Sequence, residues 1–212
     1  MKTLPTQYKP QSFDDLIGPA GKAGRLAKVT LTKAAQYRQP VKEIFYGSPG
    51  SGKSELARLL SFALGKNNLA IRNMSGLLVT IDTVRDWINA LSMGGLFGDY
   101  QVTVVQELDR MPAAARDLLL DFLDRLPSGH AFIGTSNMAI DDLTERFQSR
   151  FQATKILGPT SDEIAAFLNR HWPEIPKAMA NQLAIGSGGN VRAALNDAEK
   201  YLDAVTARLI AA

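Results

Sequence analysis

The stretch Gly47-Ser48-Pro49-Gly50-Ser51-Gly52-Lys53-Ser54 constrains this chain more than any other. It matches the phosphate-binding pattern G-x-x-x-x-G-K-[ST]. Glu43 to Tyr46, just before it, read as a short buried strand. Glu55 to Leu64, just after it, place Leu56, Leu59, Leu60 and Ala63 at helical spacing, and Gly65 is expected to stop that helix. Strand, glycine loop and helix form the context in which the pattern works. Glycines let backbone N–H groups close around phosphate oxygens, and the helix N-terminus adds partial positive charge. In such a loop Lys53 reaches the β- and γ-phosphates, and the Ser54 hydroxyl ligates Mg²⁺. A glycine-rich turn matching by chance would not bring the flanking strand and helix with it. The loop implies a bound nucleoside triphosphate.

Several other chemistries are excluded. Cysteine is absent, which rules out disulfides, thiolate metal sites and cysteine nucleophiles and suits a reducing compartment. His130 and His171 are too few for a histidine-rich metal centre. No run approaches the roughly 20 apolar residues of a membrane span. Met1 to Pro10 has no apolar leader core, so a cytoplasmic location is expected. The net charge of +3 is compatible with nucleic acid but does not argue for it.

The chain alternates strands and helices. An irregular arm, Tyr8 to Gly18, is expected to be pinned to the core by Phe13, Leu16 and Ile17. Gly21 to Gln36 reads as a helix with apolar Leu26, Val29 and Leu31 and a solvated basic face. Further strands are expected at Leu69 to Arg72, Val102 to Val105, Ala131 to Gly134 and near Ala153 to Leu157. Asn73 to Gly76 reads as a turn, and Thr83 to Leu91 and Ala113 to Leu126 as helices. Such βα units imply a parallel sheet sandwiched by helices, with ligands at the carboxyl ends of the strands. The glycine loop, Glu107 and Asn137 all fall at such ends. After Gly158-Pro159 only helices follow. The first is opened by the capping box Thr160-Ser161-Asp162-Glu163, the second runs from Pro176 to Ile185, and the last starts at Asn190. The expected division is residues 1–157, the nucleotide-binding core with its arm, and 158–212, a small three-helix lid.

Taken together these residues resemble the AAA+ ATPases of the clamp-loader clade, including replication factor C small subunits and the clamp-loader ATPase subunits of bacteria and T-even phages. The likeness runs over essentially the whole chain. Tyr8-Lys9-Pro10, Phe13-Asp14-Asp15 and Gly18 are similar to the clade's opening arm, which places Tyr8 near the nucleotide base. Asn73-Met74-Ser75 and Ile81-Asp82-Thr83-Val84-Arg85 look like a stretch leading into a helix that faces DNA, which makes Ser75 and Arg85 candidate backbone contacts. Gln106-Glu107-Leu108-Asp109 stands at the Walker B position and Thr135-Ser136-Asn137 at sensor 1. Gln148-Ser149-Arg150-Phe151 resembles the arginine-finger motif, and Gly189-Asn190-Val191-Arg192 resembles sensor 2.

The resemblance implies roles for these residues. Glu107 orients or deprotonates the attacking water and contributes with Ser54 to the Mg²⁺ site. Asn137 holds that water, and Arg192 contacts the γ-phosphate from the lid. Arg150 acts in trans on the next subunit's ATP, which implies a ring or spiral oligomer. Glu107 and Arg192 could instead be plain surface residues, and Arg150 could pair with a carboxylate such as Glu145. Four features depart from the clade. Gln106 replaces the Walker B aspartate, Phe151 replaces a cysteine, Leu118-Leu119-Leu120-Asp121 lacks basic residues, and no collar follows the lid. The implied function is an ATPase acting on DNA with a protein partner such as a sliding clamp, in replication, recombination or repair. The alternative is a weakly hydrolysing, ATP-gated assembly protein or regulator, a helicase-loading or transposition role included.

Overall fold

The computed structural model describes residues 3–91, 99–138 and 145–211. Among these, five strands form one parallel sheet in the order β2-β3-β4-β1-β5. They are β1 (Val41–Tyr46), β2 (Ile71–Ser75), β3 (Gln101–Gln106), β4 (His130–Ser136) and β5 (Gln152–Lys155). The helices are α1 (Leu4–Gln7), α2 (Gly18–Tyr37), α3 (Lys53–Gly65), α4 (Ile81–Ala90), α5 (Ala113–Asp124), α6 (Glu145–Gln148), α7 (Ser161–His171), α8 (Lys177–Gly186) and α9 (Val191–Ala211). β3 and β4 are buried over nearly their whole length, as parallel strands covered on both faces must be. The α/β sandwich expected from the alternating pattern is therefore the fold of this chain. None of the described helices is long and apolar enough to cross a membrane.

Contacts divide the chain into two compact units. The sheet unit comprises Arg25–Gly47 and Lys53–Lys155; the helical unit comprises Met1–Gly24, Ser48–Gly52 and Ile156–Ala212. In the sheet unit an aromatic series, Trp87, Phe122, Phe132 and Phe151, runs through the core with ring centroids 5.8, 6.1 and 5.7 Å apart. Each such ring contributes roughly 1.5–3 kcal/mol through the apolar area it removes from water. In the helical unit α7, α8 and α9 share a core of Ile164, Leu168, Ala180, Ala194 and Leu195. Thr160 and Glu163 cap α7 reciprocally, as their spacing indicates. The arm joins this core through Leu4, Tyr8 and Ile17.

Several local expectations are corrected. The second strand expected at Leu69 to Arg72 is shifted: Ile71 and Arg72 belong to it, but Leu69 and Ala70 do not. The Asn67 side chain accepts the Leu69 N–H at 2.9 Å and closes a short 3-10 turn, so β2 begins only at Ile71. The strand then continues through Asn73 to Ser75, where a turn was expected, and Ser75 pairs in register with Gln106. Gly65 ends α3, but Lys66 takes the left-handed conformation (φ 56°), with its N–H donated to the Phe62 carbonyl. In α2 the buried stripe is alanine, at positions 20, 23, 27 and 34, while Leu26 and Val29 are 61% and 52% exposed.

Glu43, the first residue of the segment read as a buried strand, is charged. It lies inside β1, 4% exposed, and its carboxylate accepts one hydrogen bond, from the Thr30 hydroxyl at 3.0 Å. Burial pushes its carboxyl up from 4.5 to about 7, against the Thr30 contact that lowers it. Below the unfolded value of 4.5 the group is protonated in both states and stability is unaffected. Between 4.5 and about 7 the unfolded chain gives up the proton while the folded carboxyl keeps it, and the fold loses up to about 3 kcal/mol, fully lost once pH exceeds the folded value. Glu43→Gln should therefore raise the melting temperature at pH 8 and leave it unchanged at pH 4. Parallel stability–pH curves for the two proteins would contradict this account.

Candidate active site

The glycine loop leaves β1 and enters α3 with little freedom to do otherwise. In the sheet unit the Gly47 N–H donates to the Ser136 carbonyl at 3.2 Å, which extends the β1–β4 ladder to the loop's first residue. The Lys53 side chain is only 6% exposed, and its Nζ donates to the Gly47 carbonyl at 3.0 Å. Lys53 thus folds back onto the residue that follows β1. Ser54 follows on the first turn of α3 and is exposed.

In the helical unit, residues 48–52 of the loop pack against the start of α9. Gly50 has φ +72°, and a Cβ there would come within 1.8 Å of Asn190 Oδ1, so only glycine fits. Asn190 Oδ1 accepts the Ala193 N–H and caps α9, while the Val191 N–H donates to the Gly50 carbonyl at 3.2 Å. The next residue, Arg192, has an exposed side chain without an ion-pair partner among the described residues. Ser51 Oγ is fully buried and lacks a hydrogen-bond partner among the described residues. An orphaned hydroxyl inside a glycine cradle is a donor set suited to phosphate oxygens.

At the neighbouring strand ends the geometry centres on Glu107. It adopts a left-handed backbone (φ 54°, ψ 55°), a conformation that costs a non-glycine residue about 1–3 kcal/mol and clusters at functional sites. Two contacts support the backbone here. The Glu107 N–H donates to Thr135 Oγ1 at 3.1 Å, and Gly76 lies so close that a Cβ on it would sit 2.3 Å from the Glu107 carbonyl oxygen. The Glu107 carboxylate, 42% exposed, accepts from Arg110 Nη1 at 3.0 Å. Thr135 in turn donates its hydroxyl proton to Gln106 Oε1 at 3.0 Å. One hydroxyl therefore ties Gln106, Glu107 and β4 together. Within Thr135-Ser136-Asn137 it is thus the buried Thr135, and not only Asn137, that bears on the site. Asn137 itself is exposed at the end of β4, with its N–H donated to Asp109 Oδ1 at 3.1 Å.

The remaining candidates lie elsewhere. Arg150 is clamped in cis by Asp124, not Glu145, through two hydrogen bonds of 2.8 and 2.6 Å, and a third goes to the Arg146 carbonyl. Asp124 raises the guanidinium's proton affinity, and Arg150 holds the Asp124 carboxyl below its ordinary range. The Tyr8 ring, placed near a nucleotide base by resemblance, is taken up by edge contacts with His171 and Phe167, centroids 4.6 and 4.7 Å away. Its hydroxyl donates to the Asp15 carbonyl. Ser75 ends β2, and Arg85 pairs with Asp82 at 2.9 Å. The exposed side chains between them include Leu77 and Leu78, which is an apolar surface and not a basic one.

Comparison with known proteins follows the same outline. The chain shares 28% identity over 119 residues with the RuvB subunit of the Holliday junction branch migration complex of Mycoplasmopsis pulmonis (strain UAB CTIP). That match spans 56% of this chain but 35% of the relative. A single-substitution variant of Thermotoga maritima RuvB has the same fold, with a TM-score of 0.77 at 20% identity over 94% of this chain and 68% of that one. The T. maritima RuvB Holliday junction branch migration motor gives 0.69 at 22% identity, covering 88% and 62%. The family model described as "ATPase family associated with various cellular activities (AAA)" matches residues 44–158, from β1 past the end of β5. That span is more than half of the chain and holds the glycine loop, Glu107, Asn137 and Arg150, so the chain belongs to the AAA family of ATPases.

Proposed function

We propose that this chain binds ATP in the glycine loop and assembles with further subunits, so that Arg150 of one subunit reaches the nucleotide of the next. It would act in this form on DNA together with a protein partner, in a recombination or replication machine. The loop carries the reading. The buried Lys53 ammonium, the unpartnered Ser51 hydroxyl and the glycine cradle at Gly50 form a donor set for a polyphosphate. Ser54 and Glu107 are the residues that would hold Mg²⁺, which when bound neutralises phosphate charge. A lone protein carboxylate is enough for this ion, because it takes most of its ligands from phosphates and water. Glu107, set by Thr135 and Gly76, is the group to orient or deprotonate the attacking water, with Asn137, just past the end of the neighbouring β4, proposed to hold that water. Arg192 is proposed to sense the γ-phosphate. DNA enters through the likeness to RuvB and through the clamp-loader resemblance. The Ser75 to Arg85 stretch does not strengthen it, because Arg85 is already paired with Asp82.

A second reading is favoured by Gln106. A neutral amide engaged by Thr135 contributes no negative charge beside the metal, which suits slow turnover with ATP acting as an assembly ligand. Steady-state ATPase measured alone, with primed duplex and with a four-way junction separates the two. Stimulation by either DNA supports a DNA-acting motor or loader, and the identity of the better DNA points to clamp loading or to branch migration. Turnover indifferent to both DNAs, alongside assembly that needs ATP, favours the scaffold.

A further inference from the structure

Glu43 lies outside every role assigned above, yet it lines a surface hollow of about 310 Å³. The lining passes from the exposed Leu26 and Val29 of α2, past Pro40, to the buried Glu43 of β1 with Thr30 beside it. A volume of this size is at the lower end of those that hold small ligands. We propose that the hollow binds a primary ammonium group on a short aliphatic stem, with Glu43 as its counter-ion.

Glu43 accepts a single hydrogen bond, leaving lone pairs on a carboxylate that is 4% exposed. No cation of the chain pairs with it among the described residues. From α2 and β1 the charged groups facing the hollow are Lys33 and Lys42; β5 contributes the neutral Gln152, and β4 sets Ile133 in register with Glu43. Burial and Thr30 account for the state of Glu43, whereas the charge of Lys42 is felt by Asp124. An unpaired carboxylate in such a place costs several kcal/mol unless a cation enters or a proton stays. The aliphatic side chains give methylene groups a surface to cover. Lys33 and Lys42 at the rim disfavour a second positive charge outside, so a monoamine fits better than a diamine. Binding is an exchange: the neutral carboxyl gives up its proton to water and the ammonium takes its place.

The stem can belong to a free amine or to a lysine side chain of a partner protein. The test is the carboxyl ¹³C titration of Glu43 in the full chain, assigned with Glu43→Gln. It is run alone and with n-butylammonium, putrescine, Nα-acetyl-lysine methylamide or neutral n-butanol. The expected result is an apparent pKa that starts about 7 and falls by about one unit or more with n-butylammonium, as an adjacent opposite charge requires. n-Butanol should leave it unmoved, and putrescine should act more weakly. A shift reached at lower concentration with the lysine derivative assigns the site to a protein side chain; the reverse order assigns it to a free amine. A titration unmoved by millimolar amine and lysine derivative, or equal amine binding by Glu43→Gln, overturns the proposal.

Discussion

Lys53→Ala should abolish measurable ATP binding in calorimetry, a loss of roughly 100-fold or more. The Lys53 ammonium is buried in the loop and held on the Gly47 carbonyl at 3.0 Å, so it is already positioned where phosphate oxygens are expected to sit. Hydrogen bonds to charged groups are worth about 1.5–3 kcal/mol each, and one or two made by a single ammonium in a mostly dry loop reach that factor. The fold should survive. Truncation takes the ammonium away from the Gly47 carbonyl, and α3 still packs on β1, β3 and β4. An affinity within about twofold of wild type, in a protein that melts normally, would remove the loop from the nucleotide site.

The second large effect belongs to Gln106. Its amide oxygen accepts the Thr135 hydroxyl proton at 3.0 Å, and Thr135 also receives the Glu107 N–H. A carboxylate at 106 keeps an acceptor for Thr135 and adds the negative charge that a metal–triphosphate centre lacks. In a low-dielectric strand end that charge counts for more than it would in water. Gln106→Asp should raise steady-state turnover by about tenfold, equivalent to about 1.4 kcal/mol of barrier, with nucleotide affinity nearly unchanged. Gln106→Glu adds the charge without shortening the reach to Thr135, so comparing the two separates charge from position. Unchanged or slower turnover in both variants, or a wild type already as fast as ordinary motors, would show that the amide is no handicap.

The alternation of β-branched runs with 3.6-residue patterns made the centre of the sheet legible, because β3 and β4 are buried on both faces, whereas the edge strands β2 and β5 are not. The glycine loop was legible because Gly47, Gly52, Lys53 and Ser54 stand at the fixed spacing of the phosphate-binding pattern, whereas the close approach of Gly50 to Asn190 was not. Local competition was harder to read. Asn67 capping a 3-10 turn delayed β2, and a left-handed Lys66 took the place expected for Gly65. Side-chain partners distant in sequence were not legible at all. Asp124 on Arg150, Thr135 between Gln106 and Glu107, and Thr30 on Glu43 join residues brought together only by the folded sheet. The exposed Leu26 and Val29 show the limit of periodicity: apolar residues at helical spacing marked a face, but the alanines won the buried one because small side chains allow close packing.

Arg150 is the residue on which the proposed assembly turns, because its cis clamp on Asp124 must open before it can reach another subunit. The most direct test mixes two inactive proteins, Arg150→Ala and Lys53→Ala, and measures ATP turnover against mixing ratio, with sedimentation in ATP as the companion measurement. Each variant alone should be nearly silent. The mixture should regain activity at interfaces where an intact loop of one subunit meets an intact Arg150 of the next. No recovery at any ratio, together with wild-type protein that sediments as a monomer in ATP, would contradict the account.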